Sequence, residues 1–280
     1  MYKILKKRVL SSNVKLFVID APHVARKALA GQFIMLRVDD KGERIPLTIA
    51  DYNRETGEIT IIFQEVGKTT RQLGMLNEGD SLQDFVGPLG VASHFDGVKH
   101  AAVIGGGLGT AIAYPQAKAL KEHGAEVDMI VGFRNKELIM LEEEFAAASS
   151  RLFITTDDGS NGKKGFVSDV LREQLEAGVK YDLVVAIGPL MMMKVVSELT
   201  RPYGIHTVVS MNSIMVDGTG MCGGCRVTVG GKVKFACVDG PEFDGHQVDF
   251  DELSARQATY LELDDHGCRL DAQLAALKKD

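Results

Sequence analysis

From His100 onward, short apolar runs alternate with amphipathic segments, and this alternation constrains the fold of the 280-residue chain more than any other feature. Strands are predicted at residues 101–104, 127–131, 152–155, 183–187 and 207–211. Helices are predicted between them, at residues 110–123, 136–147, 167–176 and 191–203. Strands that alternate with helices imply a parallel sheet that is covered on both faces, so we predict an α/β domain over residues 99–211.

The chain before this domain has a different pattern. Short β-like runs at 14–20, 32–38, 58–65 and 81–86 are separated by Gly31, Gly42, Gly57 and Gly79. Strands that are divided by turn residues at such short spacing predict a small antiparallel β-barrel, which we assign to residues 1–98.

Three of the four cysteines lie in a glycine-rich window after the last predicted strand. Cys222, Cys225 and Cys237 have the spacing C-x2-C-x11-C, and Asp217 stands five positions before the first of them. This spacing matches the plant-type [2Fe–2S] pattern with Asp in place of the leading Cys. We therefore predict a small [2Fe–2S] loop domain at 212–250 and a helical tail at 251–280, in a multidomain α+β chain.

A [2Fe–2S] cluster with three cysteine ligands needs a fourth donor. Besides Asp217, the candidates are Asp239, His246 and Cys268, although Cys268 lies in a polar segment and is better explained as an unrelated thiol. A structural zinc is the competing metal, but zinc sites usually pair two C-x-x-C units, and this chain has one.

The composition excludes several classes of function. A net charge of −6 and the absence of a basic stripe argue against nucleic acid binding. No apolar stretch approaches the roughly 20 residues that span a bilayer, and the N-terminus lacks the apolar region of a signal peptide. Four cysteines, three of them clustered, favour metal or redox use over disulfides, so we expect a cytoplasmic protein.

Two segments of the first domain carry groups that suit a pyrophosphate. Arg44 and Lys68 offer cations, and the turn at 67–70 offers N–H and hydroxyl donors. Pro46 fixes the strand exit, so Thr48 is placed to direct its hydroxyl at a ring edge. The alternative is that Arg44 is a solvated strand residue and Gly67 with Lys68 a plain turn; spacing alone favours this alternative.

A glycine cluster follows the first strand of the second domain. It comprises Gly105, Gly106, Gly107 and Gly109, followed by Thr110. Glycines at a strand-to-helix turn let the backbone approach a pyrophosphate, and the helix N-terminus favours its negative charge. Thr110 replaces the third glycine of G-x-G-x-x-G, so a tight turn that packs the helix on the strand explains the cluster about equally well.

Later loops also fall at strand carboxyl ends, where open α/β sheets bind ligands. Their candidate residues are Asp157, Asp158, Gly188, Pro189 and Met191. At least two of the three methionines at 191–193 are expected to fill the core.

The residue after the second strand of an α/β nucleotide domain often decides between NAD and NADP. Arg134 could accept the NADP phosphate, whereas Asp128 or Glu137 could bind the NAD ribose, and the pattern leaves this choice open.

The order of these segments resembles the ferredoxin reductase superfamily. The shared features are the barrel, R-x-P-L-T at 44–48, G-K-x-T at 67–70, the glycine cluster and the cysteine window. Within the superfamily, the chain resembles the electron-transfer subunits that partner dihydroorotate dehydrogenases and bifurcating transhydrogenases. This resemblance implies a Rossmann-like second domain that binds NAD(H), with NADP(H) as the alternative, and a barrel that binds FAD.

The resemblance also assigns roles to individual residues. Thr48 lies near the isoalloxazine and tunes the flavin, and Arg44 lies near the pyrophosphate. The other implied FAD-binding residues are Pro46, Leu47, Gly67, Lys68, Thr69 and Thr70. The implied nucleotide-binding residues are Gly105, Gly106, Gly107, Gly109, Thr110, Arg134, Asp157, Asp158, Gly188, Pro189 and Met191.

Asp217 separates two groups of these subunits. The partners of dihydroorotate dehydrogenase have Cys at this position, whereas the small subunits of electron-bifurcating NADH-dependent ferredoxin:NADP⁺ oxidoreductases have Asp. Resemblance to the latter implies the cluster ligands Asp217, Cys222, Cys225 and Cys237. It also implies a heterodimer with a larger flavin/[4Fe–4S] subunit, through which ferredoxin is reached.

Three other functions remain open at this point. They are an electron-transfer subunit for dihydroorotate oxidation, a sulfide dehydrogenase or sulfur reductase subunit, and a zinc-stabilised nucleotide-binding regulatory module without turnover.

Overall fold

The computed structural model describes residues 1–259. Cys268 and most of the predicted helical tail at 251–280 lie outside the described residues. Within them, no helix is both long enough and apolar enough to cross a membrane.

Seven antiparallel strands form the first sheet. They are β1 (Tyr2–Ser11), β2 (Val14–Asp20), β3 (Phe33–Arg37), β4 (Arg44–Asn53), β5 (Glu58–Gln64), β6 (Ser81–Leu82) and β7 (Asp84–Leu89). Their order is β6-β1-β2-β5-β4-β3-β7, and Gln83 alone separates the two outermost strands along the chain. The sheet therefore curls into a nearly closed barrel, which confirms the predicted architecture.

The single strand predicted at 81–86 is two strands. Ser81–Leu82 pairs with β1, whereas Asp84–Leu89 pairs with β3, so the chain changes partner at Gln83. Two helices accompany the barrel, α1 (Pro22–Ala25) and α2 (Lys68–Met75). The barrel interior is filled by apolar side chains that alternate along the strands, among them Phe17, Ile34, Leu36, Ile61 and Phe63.

The second sheet contains the five predicted parallel strands. They are β8 (His100–Gly106), β9 (Glu126–Phe133), β10 (Arg151–Thr156), β11 (Leu183–Ile187) and β12 (His206–Ser210). Their spatial order is β10-β9-β8-β11-β12, so the strand order reverses between β8 and β11. Four helices cover the two faces: α3 (Gly109–Glu122), α4 (Glu142–Ala148), α5 (Val167–Glu176) and α6 (Leu190–Thr200). Apolar strand residues fill the core on both faces, as predicted for a doubly covered sheet.

Two predicted helices of this domain differ from the observed ones. The segment predicted at 136–147 is a 3-10 turn (Lys136–Leu138) followed by α4, because Leu141 has a left-handed backbone with φ 56°. Met140 and Leu141, which stand at this break, are both buried. The segment predicted at 191–203 ends as α6 at Thr200 and continues as a 3-10 turn that contains Pro202.

After β12 the chain forms the cysteine loop (residues 212–241), which contains the hairpin β13 (Arg226–Val229) and β14 (Lys232–Phe235). Gly230 and Gly231 connect the hairpin strands with φ 57° and 73°, as a two-residue hairpin turn requires. Beyond the loop, β15 (Glu242–Asp244) pairs antiparallel with β12, and α7 (Phe250–Ala258) follows. A segment assigned from sequence to the cluster domain thus adds an edge strand to the parallel sheet.

Candidate functional site

The residues of the R-x-P-L-T segment lie on the two opposite faces of β4. Pro46 and Thr48 lie opposite Met35 and Phe33 of β3, whose side chains point away from the barrel interior. The Leu47 side chain instead packs against the barrel core. The implied contact of Leu47 with a cofactor is therefore restricted to its backbone, whereas Arg44, Pro46 and Thr48 share the outer face.

The turn at 67–70 forms the start of α2, and its hydroxyls are already engaged. The Thr70 hydroxyl accepts hydrogen bonds from the N–H groups of Val66 and Gly67, both at 3.0 Å. The Thr69 hydroxyl donates to Glu43 at 3.2 Å. What this turn can offer a phosphate is the set of N–H groups in the first turn of α2, with the exposed Lys68 among them.

The glycine cluster contains two kinds of glycine. A side chain at Gly105 would lie 2.6 Å from Thr110 Cα, and one at Gly109 would lie 2.3 Å from the Ile187 carbonyl oxygen. These two glycines allow α3 to pack on the sheet. Gly107, with φ 56°, faces open space, because a Cβ there would have no atom of residues 1–259 within 4 Å. The Thr110 hydroxyl donates to the Gly107 carbonyl at 2.8 Å and fixes the turn.

The glycine cluster meets the Gly188-Pro189 segment where the strand order reverses. A side chain at Gly106 would lie 2.6 Å from Met192 Sδ and 3.1 Å from Pro189. Open α/β sheets bind nucleotides at this point. Met193 is buried, Met192 packs against both glycine segments and Met191 is 61% exposed, so two of the three methionines fill the core.

The loops after β9 and β10 are joined by backbone hydrogen bonds. The Asp157 N–H donates to the Phe133 carbonyl at 3.0 Å, and the Asp158 N–H donates to the Arg134 carbonyl at 3.3 Å. Hydrogen bonds from the Ser160 hydroxyl and N–H lower the pKa of the Asp158 carboxyl. Exposed Arg134 therefore lies beside the two aspartates, as the order of strands predicts.

Asp128 is wrong as a candidate for a ribose ligand. It is 1% exposed, and its carboxylate accepts hydrogen bonds from Arg151 Nε at 2.7 Å and from the Tyr181 hydroxyl at 2.6 Å. Asp128 is paired with Ala102 near the start of β8, whereas the glycine turn follows the far end of that strand. Arg134 and Glu137 remain as the residues at the carboxyl edge.

The cysteine loop brings two of its thiols together. The sulfurs of Cys225 and Cys237 are buried and 3.2 Å apart, and the Cys237 N–H is directed at Cys225 Sγ at 3.4 Å. Cys222 is exposed, and the N–H of Gly224 lowers the pKa of its thiol. Burial and the neighbouring Cys225 raise the pKa of Cys237 to about 11, so a bound metal would have to displace its proton.

Asp217 lies beside this group, and its carboxylate bonds to its own turn. It accepts hydrogen bonds from the N–H groups of Thr219 at 2.9 Å and Met221 at 3.4 Å. Hydrogen bonds from Thr219 lower the pKa of Asp217, and the positive charge of Arg44 lowers it further. Arg44 of the barrel thus acts electrostatically on the first position of the cysteine pattern.

Two alternative ligands have other partners. His246 Nε2 lies 3.0 Å from the Thr200 hydroxyl of α6, and Asp239 accepts a hydrogen bond from the Phe235 N–H at 2.8 Å. Among residues 1–259, no three His, Cys, Asp or Glu side chains are grouped tightly enough to hold a metal ion. Binding of a cluster by all four predicted ligands therefore requires Cys222 and Asp217 to turn toward the buried pair.

The donor set of the cysteine loop nevertheless fits an iron–sulfur cluster. It offers two adjacent buried sulfurs, a third exposed sulfur, and N–H groups aimed at sulfur. Gly218, Gly220 and Gly223 all have positive φ, which lets the backbone wrap closely around a negatively charged group.

The cysteine loop packs directly on the barrel strand that lies beside Pro46. A side chain at Gly218 would lie 2.6 Å from Met35 Cγ, and Met35 is paired with Pro46. Phe33 and Met35 also belong to the same buried cluster as Cys225 and Cys237. The outer face of the R-x-P-L-T segment and the cysteine loop are therefore neighbours, which suits transfer of electrons between groups bound at each.

One group of interacting residues has no signal in the sequence. Glu242 Oε2 accepts a hydrogen bond from the Ser93 hydroxyl at 2.8 Å, and its Oε1 accepts one from Gln116 Nε2. These residues are far apart along the chain and carry no recognisable motif. We refer to Ser93, Gln116 and Glu242 as the Glu242 junction.

Comparison with known families identifies the two ends of the chain. Residues 1–94 match the oxidoreductase FAD-binding domain, and residues 212–249 match the iron–sulfur cluster binding domain of dihydroorotate dehydrogenase B.

Individual relatives cover nearly the whole chain. An uncharacterized protein encoded in the adh 3′ region of Clostridium beijerinckii is 56% identical over 268 residues, which are 93% of this chain and 90% of that protein. The Thermotoga maritima homolog of the dihydroorotate dehydrogenase B (NAD(+)) electron transfer subunit is 47% identical over 260 residues, or 93% and 92% of the two chains. A solved structure of an NADH-dependent reduced ferredoxin-NADP oxidoreductase, studied for flavin-based electron bifurcation, has a TM-score of 0.90 at 46% identity and covers 95% of this chain and 96% of its own.

Proposed function

Because this chain belongs to the family of dihydroorotate dehydrogenase B electron-transfer subunits, we propose that it takes electrons from NADH and delivers them to a larger flavoprotein subunit. The coarse function follows from the family. The chain is the electron-transfer subunit of an oxidoreductase and has an FAD-binding domain and an iron–sulfur cluster binding domain. The zinc-stabilised regulatory module is therefore wrong.

FAD supplies the conversion between hydride and single electrons, and the cluster supplies one-electron relay. The chain's own residues bind and orient these groups. We propose that Arg44 and the first-turn N–H groups of α2 hold the FAD phosphates, and that Thr48 faces the flavin ring from the outer face of β4. We further propose that Gly107 and the Gly188-Pro189 segment hold NADH where the strand order reverses.

The observation that carries this proposal is the contact between Gly218 of the cysteine loop and Met35, the neighbour of Pro46. It makes the cysteine loop a direct continuation of the proposed flavin site. We place Asp217, Cys222, Cys225 and Cys237 as the cluster ligands.

We favour an electron-bifurcating complex over dihydroorotate oxidation as the setting of this subunit. The bifurcating oxidoreductase is 46% identical to this chain. The Thermotoga maritima protein, named as a homolog of the dihydroorotate dehydrogenase B subunit, is 47% identical, whereas the dihydroorotate dehydrogenase B subunit of Streptococcus mutans is 34% identical. Asp at position 217 also agrees with the bifurcating group. Dihydroorotate oxidation remains the second candidate, because the cluster domain matches that family by sequence.

A partner surface is available beside the exposed thiol. The cysteine loop carries exposed apolar side chains outside its hairpin, which we call the apolar rim: Ile214, Val216, Met221 and Val238. Met221 is 87% exposed, and an exposed apolar patch of this kind is typical of a protein-binding surface. We propose that the larger subunit, which carries flavin and [4Fe–4S] clusters, covers the apolar rim in a heterodimer.

Anaerobic addition of NADH to the purified chain tests the electron path. The flavin and cluster absorbance should bleach, and ferredoxin and NADP⁺ should react only after the larger subunit is added. Bifurcation between ferredoxin and NADP⁺ by the purified chain alone would contradict the proposal, and a co-purified dihydroorotate dehydrogenase would favour the second candidate.

The substitution Met221→Asp tests the rim. It should weaken binding of the larger subunit at least about tenfold, because it places a charge in an apolar interface. Val9→Asp is the matched control, since Val9 is also exposed but lies on β1 of the barrel. Equal binding by both variants would contradict the rim as the contact surface.

A further inference from the structure

Hydrogen bonds to Glu242 connect the segment after the cysteine loop with the linker that follows the barrel and with α3 of the α/β domain. Glu242 begins β15, the strand that follows the cysteine loop. Ser93, which donates to Glu242 at 2.8 Å, belongs to the linker between the barrel and β8. Gln116, the second donor, is buried in the middle of α3, the helix that follows the glycine cluster.

The backbone around this carboxylate is closely packed. A side chain at Gly31 would lie 2.2 Å from the Ser93 hydroxyl and 3.0 Å from Glu242 Oε1. The Val91 N–H donates to the Gly240 carbonyl at 2.6 Å, and the Ser93 N–H donates to the Ala30 carbonyl at 3.0 Å. A change at Glu242 therefore acts directly on the turn that enters β3.

That turn leads to the proposed flavin strand. Gln32 follows Gly31, and its carbonyl accepts a hydrogen bond at 3.1 Å from the N–H of Ile49, the residue after Thr48. In the other direction, five positions separate Glu242 from Cys237. The Glu242 junction thus lies between the flavin strand, the nucleotide-domain helix and the cysteine loop.

The groups that face the Glu242 carboxyl are neutral. They are Ser93 from the linker and Gln116 from α3, and the residue paired with Glu242 on β12 is the neutral Ser210. Charged or titratable groups on the same elements are His94, Asp96 and Lys99 on the linker, Tyr114, Lys118, Lys121 and Glu122 on α3, His206 on β12 and Asp244 on β15. Lys118 is paired with Asp51 at 2.7 Å. Burial raises the pKa of Glu242 to about 7, and the hydrogen bond from Ser93 opposes this rise.

The junction can satisfy both charge states of Glu242. The charged carboxylate accepts from Ser93 and from the Gln116 amide N–H. The neutral acid needs an acceptor, and Gln116 Oε1 is buried without a hydrogen-bond partner among residues 1–259. A half-turn of the Gln116 amide would present this oxygen to the acid proton.

We propose that Glu242 is a positioning residue for the electron path. The charge on its carboxyl sets how firmly three segments are held together: the linker between the barrel and β8, the helix α3, and the segment after the cysteine loop. This inference rests on the proposed function. The neutral acid suits the enclosed junction, whereas the charged form favours an opened junction that admits water.

The test compares Glu242→Gln with the wild-type full chain between pH 5 and 8.5. Since the folded pKa is raised above the unfolded value, the wild-type protein binds more protons when folded, and its stability falls as pH rises toward 7. The Tm of the wild type should therefore fall relative to Glu242→Gln by about 5 °C over this interval. The protection factors of the amides at residues 90–93 and 240–243, which correct for the intrinsic rise of exchange with pH, should fall over the same interval in the wild type only.

The second readout is the rate at which NADH reduces the cluster. The wild-type rate should decline with an apparent pKa near 7, and this inflection should be absent in Glu242→Gln. A residue with a merely structural role would change the rate without changing the pH profile.

Ser93→Ala keeps the inference falsifiable if Glu242→Gln does not fold. It removes the hydrogen bond that lowers the Glu242 pKa, so the midpoint of the pH profile should move to higher pH. Glu126→Gln is the matched control, because Glu126 is an exposed glutamate at the start of β9 and should leave the profile unchanged.

The two proposals fail in different ways. A pH profile that persists in Glu242→Gln, or a midpoint that does not move in Ser93→Ala, overturns the role of Glu242 alone. Failure of NADH to reduce the flavin at any pH, in the wild type and variants alike, overturns the proposed function and with it this inference.

Discussion

At the scale of single residues, Asp217 is the position that best separates the two candidate settings of this subunit, an electron-bifurcating complex and dihydroorotate oxidation. Its carboxylate bonds to Thr219 and Met221 within its own turn, and Arg44 lowers its pKa from the barrel side. As the proposed fourth cluster ligand, the Asp217 carboxylate is harder than a thiolate, so replacing Asp217 with cysteine should change the electronic asymmetry of the two irons.

We predict that Asp217→Cys changes both the visible spectrum and the reduction potential of the cluster. Asp217→Asn should lower the iron content, because a neutral amide is a weaker ligand. Redox titration and iron analysis measure these effects. Asp239→Asn is the control, since Asp239 is an exposed acid of the same loop; a spectrum and potential unchanged by Asp217→Cys would contradict the assignment.

Sequence motifs located the segments of the candidate site more accurately than the roles of their side chains. R-x-P-L-T identified β4, but only the register with β3 shows that Leu47 points into the barrel. Likewise, G-K-x-T gave the start of α2 but not the bond from Thr69 to Glu43. Asp128 had a plausible spacing for a ribose ligand, yet its depth in β9 depends on tertiary contacts that spacing does not encode.

At the scale of elements, the amino ends of the parallel strands are joined by one buried ionic group. Asp128 of β9 is bonded to Arg151 of β10 and to Tyr181, and His100 Nε2 of β8 lies 3.3 Å away. Burial alone would raise the pKa of Asp128, but the hydrogen bonds from Arg151 and Tyr181 outweigh it and lower the pKa. This group stabilises the end of the sheet opposite the glycine turn.

We predict that Tyr181→Phe lowers the free energy of unfolding by about 1–3 kcal/mol, because a buried carboxylate loses one of its donors. Since the Asp128 pKa is lowered on folding, the difference should be fully present at pH 7 and should shrink as pH falls below about 4. Urea unfolding measured across this range tests both statements. Tyr203→Phe is the control, because Tyr203 is 50% exposed; equal losses in both variants would contradict the prediction.

Periodicity predicted the strands of the second domain within about two residues but not the interruptions of its helices. The break before α4 lies at Leu141, whose left-handed φ of 56° has no signal in the apolar pattern. The edge strand β15 was missed because three residues, Glu242–Asp244, are too few to show alternation.

At the scale of the whole molecule, the barrel and the cysteine loop share a core across β3. Met35 faces the loop, whereas its neighbour Leu36 faces the barrel interior. Both side chains are buried. Substitutions at the two positions can therefore distinguish a loss of barrel stability from a loss of the contact between the barrel and the cysteine loop.

We predict that Met35→Ala and Leu36→Ala each cost about 2–5 kcal/mol of unfolding free energy, as expected for large-to-small core substitutions. Only Met35→Ala should also lower the iron content of the purified protein, because it removes the side chain on which Gly218 rests. Iron analysis and urea unfolding test this difference. Equal iron loss in both variants would indicate general destabilisation.

The order of the three modules could be predicted from the sequence, because each has a local pattern. The contacts between the modules could not be predicted from the sequence. The donors of the Glu242 junction are 149 and 126 residues away from Glu242 along the chain, and Ser, Gln and Glu at such distances form no motif. Only the folded chain brings them to one point.

The cysteine loop leaves the parallel sheet from β12 and returns to it as β15, the strand hydrogen-bonded to β12. Its two ends are therefore held side by side, and its length can change without altering the register of any other strand pair. The cysteine loop can thus become longer or shorter, or change its metal ligands, during evolution while the parallel sheet and the barrel keep their shape. A single scaffold of this kind can serve partners of quite different chemistry.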